Sequence, residues 1–325
     1  MTAPRRKRRL VVPVDLGGDP HACRVRPPLR PPPAADTVRA LVDHYRRERR
    51  PAPDTPIEVA FFHGGRPGAA LLGAAAPHPL RLSCSPRSLL RTDVEALMAA
   101  GLETIELELL SLDDRVLRAC ARGYSRADAL AILRGVKELG LRVGVVLSPG
   151  LPGSSHGSAL RAAETVAGVD DPGLTADFVR LQPALALADT GLAEAAADGR
   201  WAPMDLAQAI TTVAAQCEVF DAAGVEIARV GLQPGADLPV HAVAGPVHPN
   251  LRALVQSRRF RARMAQALRG VPRGSRVALR VHPKDLSWAK GTANTNIRAL
   301  RARLGLPVLE LRPDDRVRRG TVVRG

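Results

Sequence analysis

The sequence predicts an α/β protein, a parallel-sheet β/α barrel followed by a small basic α+β module. Three observations carry this. Short β-rich runs alternate with helix-period stretches. Gly/Pro turns follow several of the β-rich runs, as the short loops of a β/α barrel require. Charge is segregated, with a net of +8 over residues 1–50, −8 over 51–250 and +15 over 251–325. Strands are expected at 10–14, 57–62, 80–83, 104–109, 142–147, 178–181 and 227–232, and helices at 36–49, 87–99, 113–121, 126–139, 157–167 and 205–223. Turns fall at Gly64-Gly65, Pro149-Gly150 and Pro183, and PPLRPPP (27–33) is too proline-rich for anything but loop. The charge change sets a boundary at Ser257. That gives a basic arm at 1–9, a barrel at 10–257 and a basic module at 258–325.

Length and composition narrow the class. With 325 residues, 46% hydrophobic and 24% charged, the chain has a globular composition despite its 28 Pro and 28 Gly. No run of ~18 apolar residues is present, so no membrane span is expected. The apolar stretch after RRKRR is too short for a signal peptide, and a cytoplasmic protein is expected. Cys23, Cys84, Cys120 and Cys217 are widely spaced, with no CxxC pair to mark a zinc or redox site. Cys120 and Cys217 read as buried free thiols.

Strand alternation selects the side chains that share the barrel lumen. In Ile105-Glu106-Leu107-Glu108-Leu109 the two glutamates lie on one face and the apolar residues on the other. The outer face packs on helices, so Glu106 and Glu108 point inward, as do Arg81, Ser83, Arg180, Gln182 and Arg229 by the same parity. Buried charges of this kind must pair or meet a ligand. A structural ion-pair network and a polar binding cavity are both consistent with the pattern.

The tail has a strand-like RVALRVHP, then KDLSWAKGTANTNIRALRARLGL, then a strand-like PVLELRP. Lys290-Gly291-Thr292-Ala293-Asn294 precedes a helix carrying Arg298, Arg301 and Arg303. This turn resembles the GxxG loop with which KH domains clamp a nucleic-acid backbone, although its second glycine is missing. A helix start preceded by Lys290 suits phosphate; a solvated, arginine-rich surface helix is the plainer reading. Helix 251–269 adds Arg252, Arg258, Arg259, Arg261, Arg263 and Arg269, and Arg5–Arg9 reads as a polyanion-binding arm. Trp288 is expected in the small core, and at 3% aromatic content a multi-base stacking platform is not expected. The expected nucleic-acid contacts are Arg258, Arg259, Lys284, Lys290, Arg298 and Arg301.

Several stretches, in order, resemble the bacterial radical-SAM proteins related to the catalytic subunit of Elongator, the tRNA wobble-uridine modification enzyme. They are IEVAFFHGG (57–65), RLSCSP (81–86), TIELELLSLDDRVL (104–117), Arg122-Gly123, PGLPGS (149–154), DFVRLQPALAL (177–187), Asp189-Thr190, RVGLQP (229–234) and AGPVHP (244–249). The resemblance spans roughly residues 10–257 and implies a radical-SAM-type partial (β/α) barrel. It also implies a [4Fe–4S] cluster and S-adenosylmethionine, with Gly64 and Gly65 as the turn that approaches the S-adenosylmethionine amino group.

The cluster motif itself is eroded. The family's CxxxCxxC loop supplies three thiolates to three irons, leaving the fourth open. Aligned on Pro20-His21 and Cys23, the first cysteine position is Asp19 and the third is Arg26. One thiolate cannot hold such a cluster, and a protonated guanidinium does not ligate iron. Other departures are an inserted His63, Leu110 for a glutamine, Glu108 for a glycine, Gln182 for a tyrosine and Ala188 for a basic residue. The expectation is a radical-SAM-like barrel without its cluster or other cofactor, acting as a non-catalytic RNA-binding protein with tRNA as partner. Two alternatives stay open: an active radical-SAM enzyme of the tRNA-modification type with an atypical cluster site, and a scaffold binding a small polar ligand in the lumen.

Overall fold

The computed structural model describes residues 9–17, 31–52, 54–62, 65–90, 92–231 and 241–325. Seven parallel strands form one sheet: β1 (Leu10–Asp15), β2 (Ile57–Phe62), β3 (Leu80–Cys84), β4 (Leu102–Leu110), β5 (Arg142–Leu147), β6 (Phe178–Leu181) and, after the short β7 (Ala186–Leu187), β8 (Glu226–Val230). Their order, β1-β2-β3-β4-β5-β6-β8, leaves β1 and β8 as the two edges of a curled, open half-barrel. All seven expected strands are found.

The helices are α1 (Ala35–Arg49), α2 (Ala69–Ala75), α3 (Pro86–Leu89), α4 (Val94–Ala99), α5 (Asp114–Ala119), α6 (Arg126–Glu138), α7 (His156–Val166), α8 (Gly191–Ala197) and α9 (Leu206–Ala222). Serine, threonine and aspartate N-caps set most of their starts, with full capping boxes at Ser125, Ser155 and Asp205. One expected helix is corrected. Residues 87–99 form two short helices, because Ser85 caps α3 and Asp93 accepts the Ala96 N–H to open a new helix. The helices at 69–75 and 191–197 were not anticipated; at seven residues each, they are too short to show a period.

Both sheet edges are blunted. Pro13 interrupts the hydrogen-bonding row of β1. Along β8, Arg252 donates to the carbonyls of Ala228 (3.3 Å) and Ile227 (3.5 Å). A second sheet pairs β7 with β9 (Ala242–Ala244).

Helix α10 (Leu251–Ala267) joins the two bodies. Its Leu251 and Val255 pack in the barrel core, while Phe260 and Met264 pack in the module core, so Ser257 lies mid-helix. Beyond it come β10 (Arg276–Val281), α11 (Leu286–Lys290), α12 (Thr295–Leu304), β11 (Val308–Pro313) and β12 (Val322–Arg324). Strand β10 lies between β11, which runs parallel to it, and the antiparallel β12.

Candidate functional site: the barrel lumen and the basic module

Strand parity separates two environments. Val12, Val59, Phe61, Leu82, Ile105, Leu107, Val143, Val145 and Val179 face the helices and build the main apolar core. The opposite face carries Glu58, Arg81, Ser83, Thr104, Glu106, Glu108, Arg180 and Arg229, and the parallel register brings them side by side: Ser83 opposite Glu106, and Arg180 opposite Arg229.

The lumen charges are joined in a chain. Glu58 is fully buried and accepts from Arg81, from Thr104 Oγ1 at 2.9 Å and from Arg9 at 3.2 Å. Glu106, also fully buried, takes the Arg180 Nη1 proton at 2.6 Å. Its second oxygen lies 3.5 Å from Arg81 Nη1, within ion-pair range but outside hydrogen-bond geometry. Ser83 Oγ stands 3.0 Å from Glu106 and 3.2 Å from Glu108, and its single proton serves one carboxylate at a time. Burial lowers the pKa of Arg229, as do the neighbouring Arg180 and Arg252 charges.

Phenylalanines fill the rest. Phe178 lies between two guanidinium groups, with Arg142 at 4.4 Å and Arg81 at 4.9 Å from its ring centre. Gly144 is required beside it, since a Cβ there would sit 2.1 Å from the Phe178 ring. Arg180 from β6 also crosses to the Phe62 ring on β2, at 5.3 Å. The structure thus brings Arg81, Glu106, Glu108, Arg180 and Arg229 onto one face, as the strand pattern foretold.

Sequence reading missed Glu58, Arg142 and Phe178. Their signal was available, because the alternation that points Glu106 inward does the same for Glu58 within IEVAFF. Arg9 requires a correction. It was placed in a polyanion-binding arm, but it pairs with Glu58 and Glu103 at the start of β1. Gly65 follows β2 with open space where a Cβ would project. Asp19, Cys23, Arg26 and Gly64 lie outside the described residues. Cys84, Cys120 and Cys217 are buried, and burial pushes the Cys217 thiol up to about 12. Among the described residues, no three His, Cys, Asp or Glu side chains group as a metal site.

In the module, two of the expected nucleic-acid contacts are engaged within the protein. Arg259 is buried and clamps α10 to α9 through Glu218 (2.7 Å) and Asp221. Arg263 shares both carboxylates. The Arg301 guanidinium bonds the carbonyls of Leu306 (3.4 Å) and Pro307 just past α12, whose end is set by the left-handed Gly305. Arg258, Lys284 and Arg298 are exposed, and Lys290 is half-buried; among the described residues none of the four has a carboxylate partner. Trp288 packs against the module core, as expected.

Residues 34–166 match the Radical SAM superfamily, and residues 176–261 match the Radical_SAM C-terminal domain. A tRNA uridine(34) acetyltransferase of Methanocaldococcus infernus is 27% identical over 121 residues, 37% of this chain and 22% of that protein. One from Dehalococcoides mccartyi is 28% identical over 113 residues, 35% of this chain and 24% of that protein. The matched stretch therefore spans about a quarter or less of these relatives. Among solved structures, the archaeal M. infernus Elp3 with its N-terminus deleted overlays 80% of this chain and 63% of that one, with TM-score 0.61 and 20% identity. That likeness fixes the fold.

Proposed function

The chain belongs to the radical SAM superfamily and resembles its Elongator-like members, and we propose on that premise that it is a non-catalytic RNA-binding protein whose barrel has lost the iron–sulfur chemistry. The observation that carries this is the donor set. The superfamily's [4Fe–4S] cluster supplies an electron to S-adenosylmethionine, and it needs three cysteine thiolates. Here the cluster loop offers Asp19, Cys23 and Arg26. The other three cysteines are committed elsewhere, since Cys84 and Cys217 lie in the main barrel core and Cys120 in a satellite cluster. The residues present do not fit the cluster, and no reaction step is derived through it.

RNA is supported by charge and by kinship. The last 75 residues carry +15, and exposed Arg258, Arg261, Arg298 and Lys284 are free of carboxylates among the described residues. The relatives that match the barrel are named for a tRNA uridine, which makes tRNA the RNA to test first.

Two experiments decide the proposal. Anaerobic reconstitution with iron and sulfide should leave the protein colourless, with no stoichiometric [4Fe–4S] cluster; a loaded cluster that cleaves S-adenosylmethionine refutes the loss of chemistry. tRNA affinity should fall steeply with salt, by about 0.9 in log K per neutralised phosphate for each unit of log salt. A flat salt dependence refutes phosphate-led binding.

A further inference from the structure

We propose that residues 290–294 of the basic module form a clamp for the backbone of single-stranded RNA. This rests on the RNA reading above and assigns its contact point. The loop joins α11 to α12, and the parallel strands β10 and β11 bracket the two helices. A strand–helix–loop–helix–strand unit of this kind is a setting in which a GxxG loop can hold an extended phosphodiester chain. The sequence Gly291-Thr292-Ala293-Asn294 lacks the second glycine, but the backbone compensates for it. Asn294 adopts left-handed backbone at φ 61°, and asparagine is among the residues that best tolerate that region. Ala293 is left-handed as well, at φ 49°.

The base of the loop is fixed while its tip is open. Gly291 (φ 70°) has no room for a side chain, since a Cβ would meet Thr295 Oγ1 at 2.7 Å and Ser257 Oγ at 3.0 Å. The buried Asn296 amide sits within hydrogen-bond distance of the carbonyls of Ser257 (2.8 Å), Ala289 (3.1 Å) and Trp288 (3.3 Å), tying together α10, α11 and α12. Thr292, Ala293, Asn294 and Thr295 are exposed above that bolt. A rigid root with a bare tip lets backbone approach backbone without a further ordering cost.

The surrounding charge has one sign. Ser257 touches the loop's base, and Arg261, one turn further along and exposed, lies on the same face of α10. Arg298 lies one turn into α12 on the other side, and Lys290 opens the loop. Residues 286–309 contain no Asp or Glu at all, and Asp285 is buried against Arg319 (2.6 Å). Trp288 is covered by the Arg319 guanidinium at 5.7 Å, so the bases gain no stacking platform here. The clamp therefore reads backbone, and sequence preference is weak.

The test uses the full chain and the double variant Thr292→Asp/Ala293→Asp. Both positions are exposed, and aspartate accepts left-handed backbone better than alanine does, so the melting curve should not move. Binding of a fluorescent single-stranded RNA oligomer should weaken by at least about tenfold from the added like charge. Asn294→Gly should keep wild-type affinity. If wild type binds RNA and the double variant, melting as wild type does, binds it equally well, the clamp is overturned while the RNA reading survives. A duplex RNA of equal length competing as well as the single strand overturns it also. If wild type binds no RNA at low salt, the RNA reading fails and the clamp fails with it.

Discussion

Replacing Glu106 by glutamine separates a self-sufficient ion-pair lattice from a lumen built to receive a ligand. Glu106 is fully buried, receives Arg180 at 2.6 Å and Ser83 at 3.0 Å, and stands 3.5 Å from Arg81. Glu106→Gln keeps the volume but withdraws the negative charge that two arginines face. Breaking one side of a buried pair costs about 3–5 kcal/mol, because the remaining charge is stranded. Taking roughly 250 cooperatively unfolding residues at ~2.1 cal/mol/K each gives an unfolding entropy near 0.5 kcal/mol/K, so Tm should drop by about 6–10 °C. Far-UV circular dichroism reads this directly. The double variant Glu106→Gln/Arg180→Gln should regain part of the loss, since it leaves fewer unbalanced charges, and the two changes should be non-additive by more than about 0.5 kcal/mol. A drop below about 2 °C, or strict additivity, would refute the lattice.

Three further outcomes are expected. Gly144→Ala should destabilise the barrel by at least about 1–3 kcal/mol in urea titrations, because the new Cβ overlaps the Phe178 ring; Phe178→Leu in the same chain should relieve part of this, and no relief would show that the ring is not the obstacle. A thiol reagent should label at most one cysteine in the native chain and four after unfolding, since Cys84, Cys120 and Cys217 are buried and the Cys217 thiol is pushed up to about 12; two fast-reacting native thiols would contradict this. Burial opposes ionisation of Glu218, but hydrogen bonds from Arg259 and Arg263 outweigh it and hold its pKa below the ordinary carboxylate value. Its contribution is therefore present above the unfolded-state value of about 4.3 and lost as pH falls through the lower folded value. Stability should decline less over that acid range in Glu218→Gln than in wild type, and equal slopes would dismiss the clamp.

Much of the barrel was legible because its physics is periodic. TIELELL alternates cleanly enough to fix strand and face, IEVAFF and RVGVVL are β-rich enough to fix the strand, and all three sit within a residue or two of their expected bounds. What the sequence hid was aperiodic or distant. Residues 87–99 are apolar enough for one helix, and only the Asp93 cap reveals two. The tail's arginines look alike in sequence, yet Arg259 and Arg263 meet carboxylates about forty residues upstream while Arg258 and Arg261 face solvent. Charge density locates a basic module; only the fold tells which charges are already spent. The missing second glycine argued against a clamp, and the left-handed backbone of Asn294 removes that objection, because conformation rather than residue identity is what such a loop requires.

If the cluster is lost, as proposed above, the separation of faces accounts for the survival of the barrel. The main core lies between the outer strand face and the helices. Arg81 finds its counter-charge in Glu58 on the neighbouring strand, and Arg180 finds its own in Glu106 two strands away, so these two pairs need no iron, sulfide or sulfonium. The basic module is held to α9 by the Arg259 and Arg263 pairs and by a shared helix, neither of which passes through the cluster loop. Under the function proposed above, selection on the RNA-binding surface alone would maintain this scaffold. Because the described core and lumen pairs are built from the strands and helices, restoring cysteine at positions 19 and 26 should leave the melting temperature within about 1–2 °C of wild type. A large shift in either direction would mean that the loop contributes to the fold after all.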